Sequence, residues 1–112
     1  MEPTIRFEGD VGVISLTGRL DSGAAPLFDL WFAGQDKPEC RSYLLEMSAL
    51  TYITSAGLRS ILKICKLLEA RGGRLAACAM TGPVRDLFKI AGFNQFVALY
   101  EGLDEGLAAL SA

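Results

Sequence analysis

A chain of 112 residues holds one domain and too little material for two separate cores. Apolar residues make up 51% and charged residues 21%, a composition that folds and is not disordered. The net charge of −2 argues against binding nucleic acid by neutralising phosphates, no apolar run approaches the ~20 residues of a membrane span, and the lack of histidine excludes Ser-His-Asp and Cys-His catalysis.

In chain order, Thr4 to Glu8 alternates as a first strand, with Gly9-Asp10 as a hairpin turn. Val11 to Thr17 is a second strand with Val11, Val13 and Ser15 on one face. Gly18 to Gly23 is expected to be a loop ending in helix-capping residues. Ala24 to Phe32 then places Ala24, Leu27, Phe28 and Trp31 at i, i+3, i+4 and i+7, the spacing of an amphipathic helix. Gly34 to Pro38 stops it.

Ser42 to Ser48 is nearly continuous in apolar residues, as a central strand should be, and a short polar break is expected after it. A long helix from Ala56 to about Arg71 carries Leu58, Ile61, Leu62, Cys65 and Leu68 on one stripe. Arg59, Ser60, Lys63, Lys66 and Ala70 face away, and Gly72-Gly73 supplies a left-handed cap. Arg74 to Met80 is a fourth strand, and Thr81-Gly82-Pro83 opens a helix whose buried face is Val84, Leu87, Phe88 and Ala91. Phe96 to Leu99 is a short fifth strand, and Leu103, Leu107 and Leu110 line a last helix. The order β-β-α-β-α-β-α-β-α predicts an α/β domain over residues 1–112, with a mostly parallel sheet of four to five strands and about four helices.

Such sheets carry their sites at the carboxyl ends of the strands. There, Thr54-Ser55-Ala56-Gly57 brings hydroxyls and backbone N–H groups to the start of the long helix. Ser55 or Thr54 could simply cap that helix, a role worth ~1 kcal/mol. Gly57, costly in a first helical turn, points to a close approach by another backbone or a partner. Asp21, also a candidate cap, would open on the same end of the sheet if the two strands are neighbours. A carboxylate beside a hydroxyl falls short of a nucleophile with base and oxyanion hole, so no enzyme activity is expected.

Gly72-Gly73 follows a helix and is no phosphate loop, and Lys63, Lys66, Arg71 and Arg74 read as a solvated basic face. Leu67 projects to the polar side of the long helix with Ile64 at its rim, a possible apolar docking stripe. Cys40, Cys65 and Cys78 form no C-x-x-C pair and are odd in number, so neither a disulfide framework nor a metal site is expected. The amino-terminal residues lack the basic-then-apolar order of a signal peptide, which makes the cytoplasm the expected location.

Three segments resemble one family in order and spacing. They are Leu16-Thr17-Gly18-Arg19-Leu20-Asp21, Tyr52-Ile53-Thr54-Ser55-Ala56-Gly57-Leu58, and Val84 to Phe93. Together they resemble the STAS domain, and within it the stand-alone bacterial anti-sigma-factor antagonists. The resemblance implies binding to an anti-sigma factor with serine-kinase activity, which frees a sigma factor. It implies phosphorylation at Ser55, with Thr54 as a rival acceptor, and reversal by a PP2C-type phosphatase. The implied contact surface is Asp21, Thr54, Ser55, Ala56, Gly57, Leu58 and Arg59, to which the helix reading adds Ile64 and Leu67. No cofactor, metal, nucleic acid or membrane partner is implied. Two departures stand out: Thr54 and Glu46 occupy positions where the family often has aspartate. Other readings are an interaction module in a chemosensory, stressosome-like or secretion-control complex, or a nucleotide or small ligand in the Asp21–Ser55 crevice.

Overall fold

The computed structural model describes residues 1–111. Five strands form one sheet in the order β1-β2-β3-β4-β5: β1 (Thr4–Glu8), β2 (Val11–Leu20), β3 (Ser42–Ile53), β4 (Leu75–Cys78) and β5 (Ala98–Tyr100). Only β1 is antiparallel to its neighbour, joined to β2 by the turn at Gly9. The other three pairings are parallel. The four helices are α1 (Ala25–Gln35), α2 (Ser55–Ala70), α3 (Gly82–Ile90) and α4 (Leu103–Ser111), with a single 3-10 turn at Phe93–Gln95 before β5. No described helix is long and apolar enough to cross a membrane.

The strand pleat sorts side chains into two layers. Tyr43, Leu45 and Met47 of β3 join Ile14 and Leu16 of β2 in the main core, under Phe28 and Phe32 of α1, Ile61 and Leu68 of α2, and Phe88 of α3. On the opposite face Val11, Leu44, Ala76 and Cys78 pack against Leu110 of α4. Burial on both faces explains why the central strands are almost wholly apolar.

Several sequence expectations shift. Strands β2 and β3 do not end at Thr17 and Ser48: they run on together, pairing Thr17 with Ala49 and Leu20 with Ile53, with irregularities in register on the way. The expected loop at Gly18–Leu20 and the expected polar break after Met47 are therefore strand. Each continuation supplies the other's hydrogen-bond partners, a non-local effect that local turn propensity misses. Strand β4 is shorter than expected, and β5 begins two residues later.

Helix α1 buries Ala25, Phe28 and Phe32, while Leu27 is 68% exposed. Trp31 is half-buried and stacks on Phe28, with ring centroids 6.0 Å apart. The helix is apolar on nearly every side, so its sequence spacing did not single out the buried stripe. In α3, Val84 and Phe88 are buried but Ala91 is exposed. At the end of α2 the cap is as expected: Gly72 has φ +75°, and the Gly73 N–H donates to the Leu68 carbonyl at 2.8 Å.

Arg71 is not part of a solvated basic face. Its guanidinium forms a two-pronged ion pair with Asp36 and donates to the carbonyls of Lys37 (3.4 Å) and Cys40 (3.2 Å). Asp36 also accepts a hydrogen bond from the Tyr43 hydroxyl at 2.8 Å, and that hydroxyl accepts one from the Lys37 N–H at 3.1 Å. This clasp ties the α1–β3 loop to the far end of α2.

The Arg71 hydrogen bonds hold the Asp36 carboxyl below the usual carboxylate range, against the opposing effect of burial. A carboxylate with a lowered folded value adds stability above its unfolded pKa of about 3.9 and loses it as pH falls through the folded value. Asp36→Asn should cost about 2–3 kcal/mol in urea denaturation at neutral pH. That gap should stay constant above about pH 5 and narrow below about pH 4. A gap independent of pH would contradict the ion-pair account.

Candidate functional site

The continued β2–β3 pairing carries two chain segments to the same point above the sheet. Strand β2 ends at Leu20 and β3 at Ile53, which are register partners. The Thr54 N–H donates to the Leu20 carbonyl at 3.1 Å, so Asp21 and Ser55 leave the sheet side by side.

Thr54 takes extended backbone angles and occupies the cap position of α2, its carbonyl accepting the Leu58 N–H at 2.9 Å. Neither side-chain capping alternative is realised. Thr54 makes no side-chain cap hydrogen bond, and its hydroxyl oxygen is buried without a hydrogen-bond partner. Ser55 is the first helical residue and is exposed. The first-turn N–H groups have no carbonyl within the helix to bind, so they present positive potential beside the Ser55 hydroxyl.

Gly57 explains how α2 sits so low on the sheet. A β-carbon there would lie 2.5 Å from the Leu20 carbonyl oxygen and 2.8 Å from Ile53 and Leu20 side-chain carbons. The close approach inferred from the glycine is thus made by this chain's own backbone.

Asp21 serves α1. Its Oδ1 accepts the Ala24 N–H at 3.0 Å, and its backbone carbonyl accepts the Ala25 N–H at 2.9 Å. The Ala24 hydrogen bond is the main influence holding the Asp21 carboxyl below its usual range, and Arg19 works in the same direction. Arg19 Nε stands 3.8 Å from Asp21 Oδ2, and its guanidinium lies over the Tyr52 ring at 4.3 Å from the centroid. Sequence reasoning missed this exposed Arg19–Tyr52 plate, although the two residues are register neighbours at the end of the two-strand ribbon.

Of the remaining residues expected at the surface, Ala56 is half-buried, Arg59 is exposed and Leu67 is 41% exposed. Gly57 and Leu58 are buried. Ile64 is not a rim residue: it is 4% exposed and belongs to the main core. Ser60, expected to face away from the core, is 2% exposed. Both changes follow from α1 lying along this flank of α2, where Lys63 Nζ reaches Asp29 Oδ2 at 3.1 Å. Between the helices runs an open groove of about 440 Å³, walled by Pro26 and Asp29 on one side and Ala56, Arg59 and Lys63 on the other. A smaller hollow beside it has Ile64 as floor and Leu67 as lip.

The chemistry available is limited and specific. Ser55 places an exposed hydroxyl at a helix N-terminus, and the Asp21 carboxylate that leaves the sheet beside it is engaged by the Ala24 N–H. No group of three or more Cys, Asp or Glu side chains among the described residues is gathered closely enough to hold a metal ion. Cys40, Cys65 and Cys78 are all buried thiols, and burial pushes Cys78 up to about 11.

Residues 2–106 match the model of the STAS domain, and the chain belongs to that family. Among its relatives is BtrV of Bordetella bronchiseptica, named as an anti-sigma factor antagonist. The two are 38% identical over 98 residues, covering 87% of this chain and 84% of BtrV. A Thermotoga maritima protein described by name as an anti-sigma factor antagonist superposes with a TM-score of 0.91 at 20% identity, over 98% of this chain and 95% of that one. SpoIIAA of Bacillus shares the fold in both its unphosphorylated and phosphorylated forms. The TM-scores are 0.72 and 0.73 at 18% and 19% identity, covering 96% of this chain and 96% and 98% of the respective SpoIIAA chains.

Gly57→Ala separates close packing from helix propensity. Propensity alone would make the alanine variant more stable by up to about 1 kcal/mol. The contact with Leu20 should instead make it less stable by about 2 kcal/mol, read from the denaturation midpoint.

Proposed function

We propose that this protein is an anti-sigma-factor antagonist working by partner switching. Its unphosphorylated form binds a kinase-like anti-sigma factor in the cytoplasm and thereby frees a sigma factor. Transfer of the γ-phosphoryl group from the kinase's nucleoside triphosphate to Ser55 Oγ, with loss of the hydroxyl proton and release of the diphosphate, ends the association. A PP2C-type phosphatase restores the hydroxyl by hydrolysis.

The observation that carries this reading is the contrast between two adjacent hydroxyls. Ser55 is exposed at the first position of α2, while the Thr54 oxygen is buried. A kinase reaching this end of the sheet meets Ser55, so the rival acceptor recedes. The family relationship and the resemblance to an antagonist at 38% identity point the same way. On this reading the contact face is built from Asp21, Ser55, Ala56, Arg59 and Leu67, with Thr54, Gly57, Leu58 and Ile64 supporting it from below.

A phosphate adds about −1.5 to −2 charges. In the free protein the first turn of α2 accommodates that charge, so the fold survives. At a docked interface the same charge is desolvated beside Asp21. A penalty of ~2–5 kcal/mol for such a charge weakens binding by roughly 30- to 4,000-fold. The switch is local electrostatics at an intact surface.

The test uses wild type, Ser55→Ala and Ser55→Asp as baits in lysate of the native host, with identification of the captured proteins. Wild type and Ser55→Ala should retain a kinase-like anti-sigma factor, and Ser55→Asp should lose it. Aspartate in the first turn suits the helix N-terminus, so loss of binding would not reflect unfolding. Equal capture of one partner by all three would end the phosphoswitch reading.

A further inference from the structure

The proposed switch leaves Arg59 without a role. It lies one turn after Ser55 in α2 and is exposed. Among the described residues it makes no ion pair and no side-chain hydrogen bond, whereas the nearby cations are engaged. Arg19 lies beside Asp21 and over Tyr52, and Lys63 is paired with Asp29.

Two features of helix geometry connect Arg59 to Ser55. Residues four apart stand one above the other, about 5–6 Å between β-carbons. Side chains also lean toward the helix N-terminus, so a long side chain covers the turn that precedes it. The Arg59 side chain, which lines the groove beside this turn, is therefore long enough to fold back over Ser55. Its planar fork of donors matches the oxygens of a phosphate.

We propose that Arg59 is the intramolecular partner of phosphorylated Ser55, folding back along α2 to hold the phosphate. This rests on Ser55 being the phosphoacceptor. In the unmodified protein Arg59 is a free cation on the docking face. When the phosphate arrives, that face gains a dianion and loses its uncommitted cation in one event. The other charges on this side are Asp21 and Arg19 from the end of β2, Asp29 from α1 and Lys63 from α2. Both carboxylates already hold a cation, which leaves Arg59 as the residue available to the phosphate. An aspartate at position 55 is shorter and carries a single charge, so it imitates the repulsion without capturing Arg59 in the same way.

The experiment installs phosphoserine at position 55 during translation, so neither the native kinase nor the partner is needed. Failure here is then distinct from failure of the partner switch. Phosphorus NMR follows the second phosphate ionisation from about pH 4.5 to 8 in wild type, Arg59→Lys and Arg59→Gln. Wild type should titrate about 0.3 of a pH unit below Arg59→Gln, with Arg59→Lys between them. The difference should shrink in high salt. The helix N-terminus acts on all three alike, so a shift due to it alone would be the same in each. Equal values in wild type and Arg59→Gln, or a higher value in wild type, would overturn the proposal.

Discussion

The end of the molecule that carries Asp21 and Ser55 depends on the contact between Gly57 and the Leu20 carbonyl. A helix following a parallel strand must cross the sheet at a distance set by its side chains. With no β-carbon at Gly57, the first turn of α2 settles directly onto the end of β2. The same Leu20 oxygen accepts the Thr54 N–H, so one carbonyl fixes both the cap and the height of the helix. Ser55 is then the first residue free of the sheet, and Asp21 leaves beside it.

The clasp at the other end complements this arrangement. Arg71 and Asp36 join residues far apart in sequence and are held among Tyr43, Lys37 and Cys40. An ion pair placed among satisfied hydrogen-bond partners fixes geometry more than it adds net stability. Here it fixes the course of the α1–β3 loop, and with it the position of β3.

Most of the element order was legible because strands and helices in this chain have distinct periodicities, and glycine and proline mark several turns. The STAS motifs also pointed to Asp21 and Ser55 at one end of the sheet, where the β2–β3 pairing brings them. What the sequence hid is non-local. Gly18 and Ser48 look like turn or break residues, yet β2 and β3 pair through them. Ser60 and Ile64 are buried because α1 lies along that side of α2, a contact no local pattern encodes. The α1 stripe was misplaced because a nearly all-apolar helix offers no contrast between faces. The Arg71–Asp36 pair could have been found only by knowing that the loop returns to the helix end.

The clasp and Ser55 sit at opposite ends of a 16-residue helix, about 24 Å apart along its axis. Perturbations at that separation, with no shared partners, combine additively. On the proposed reading the two ends of α2 are separable: breaking the clasp at one end loosens the fold, and adding charge at the other alters what the domain binds. Substitutions around the clasp are then free to accumulate without retuning recognition, and the exposed residues at the other end are free to diverge toward new partners while Gly57 beneath them keeps the helix seated.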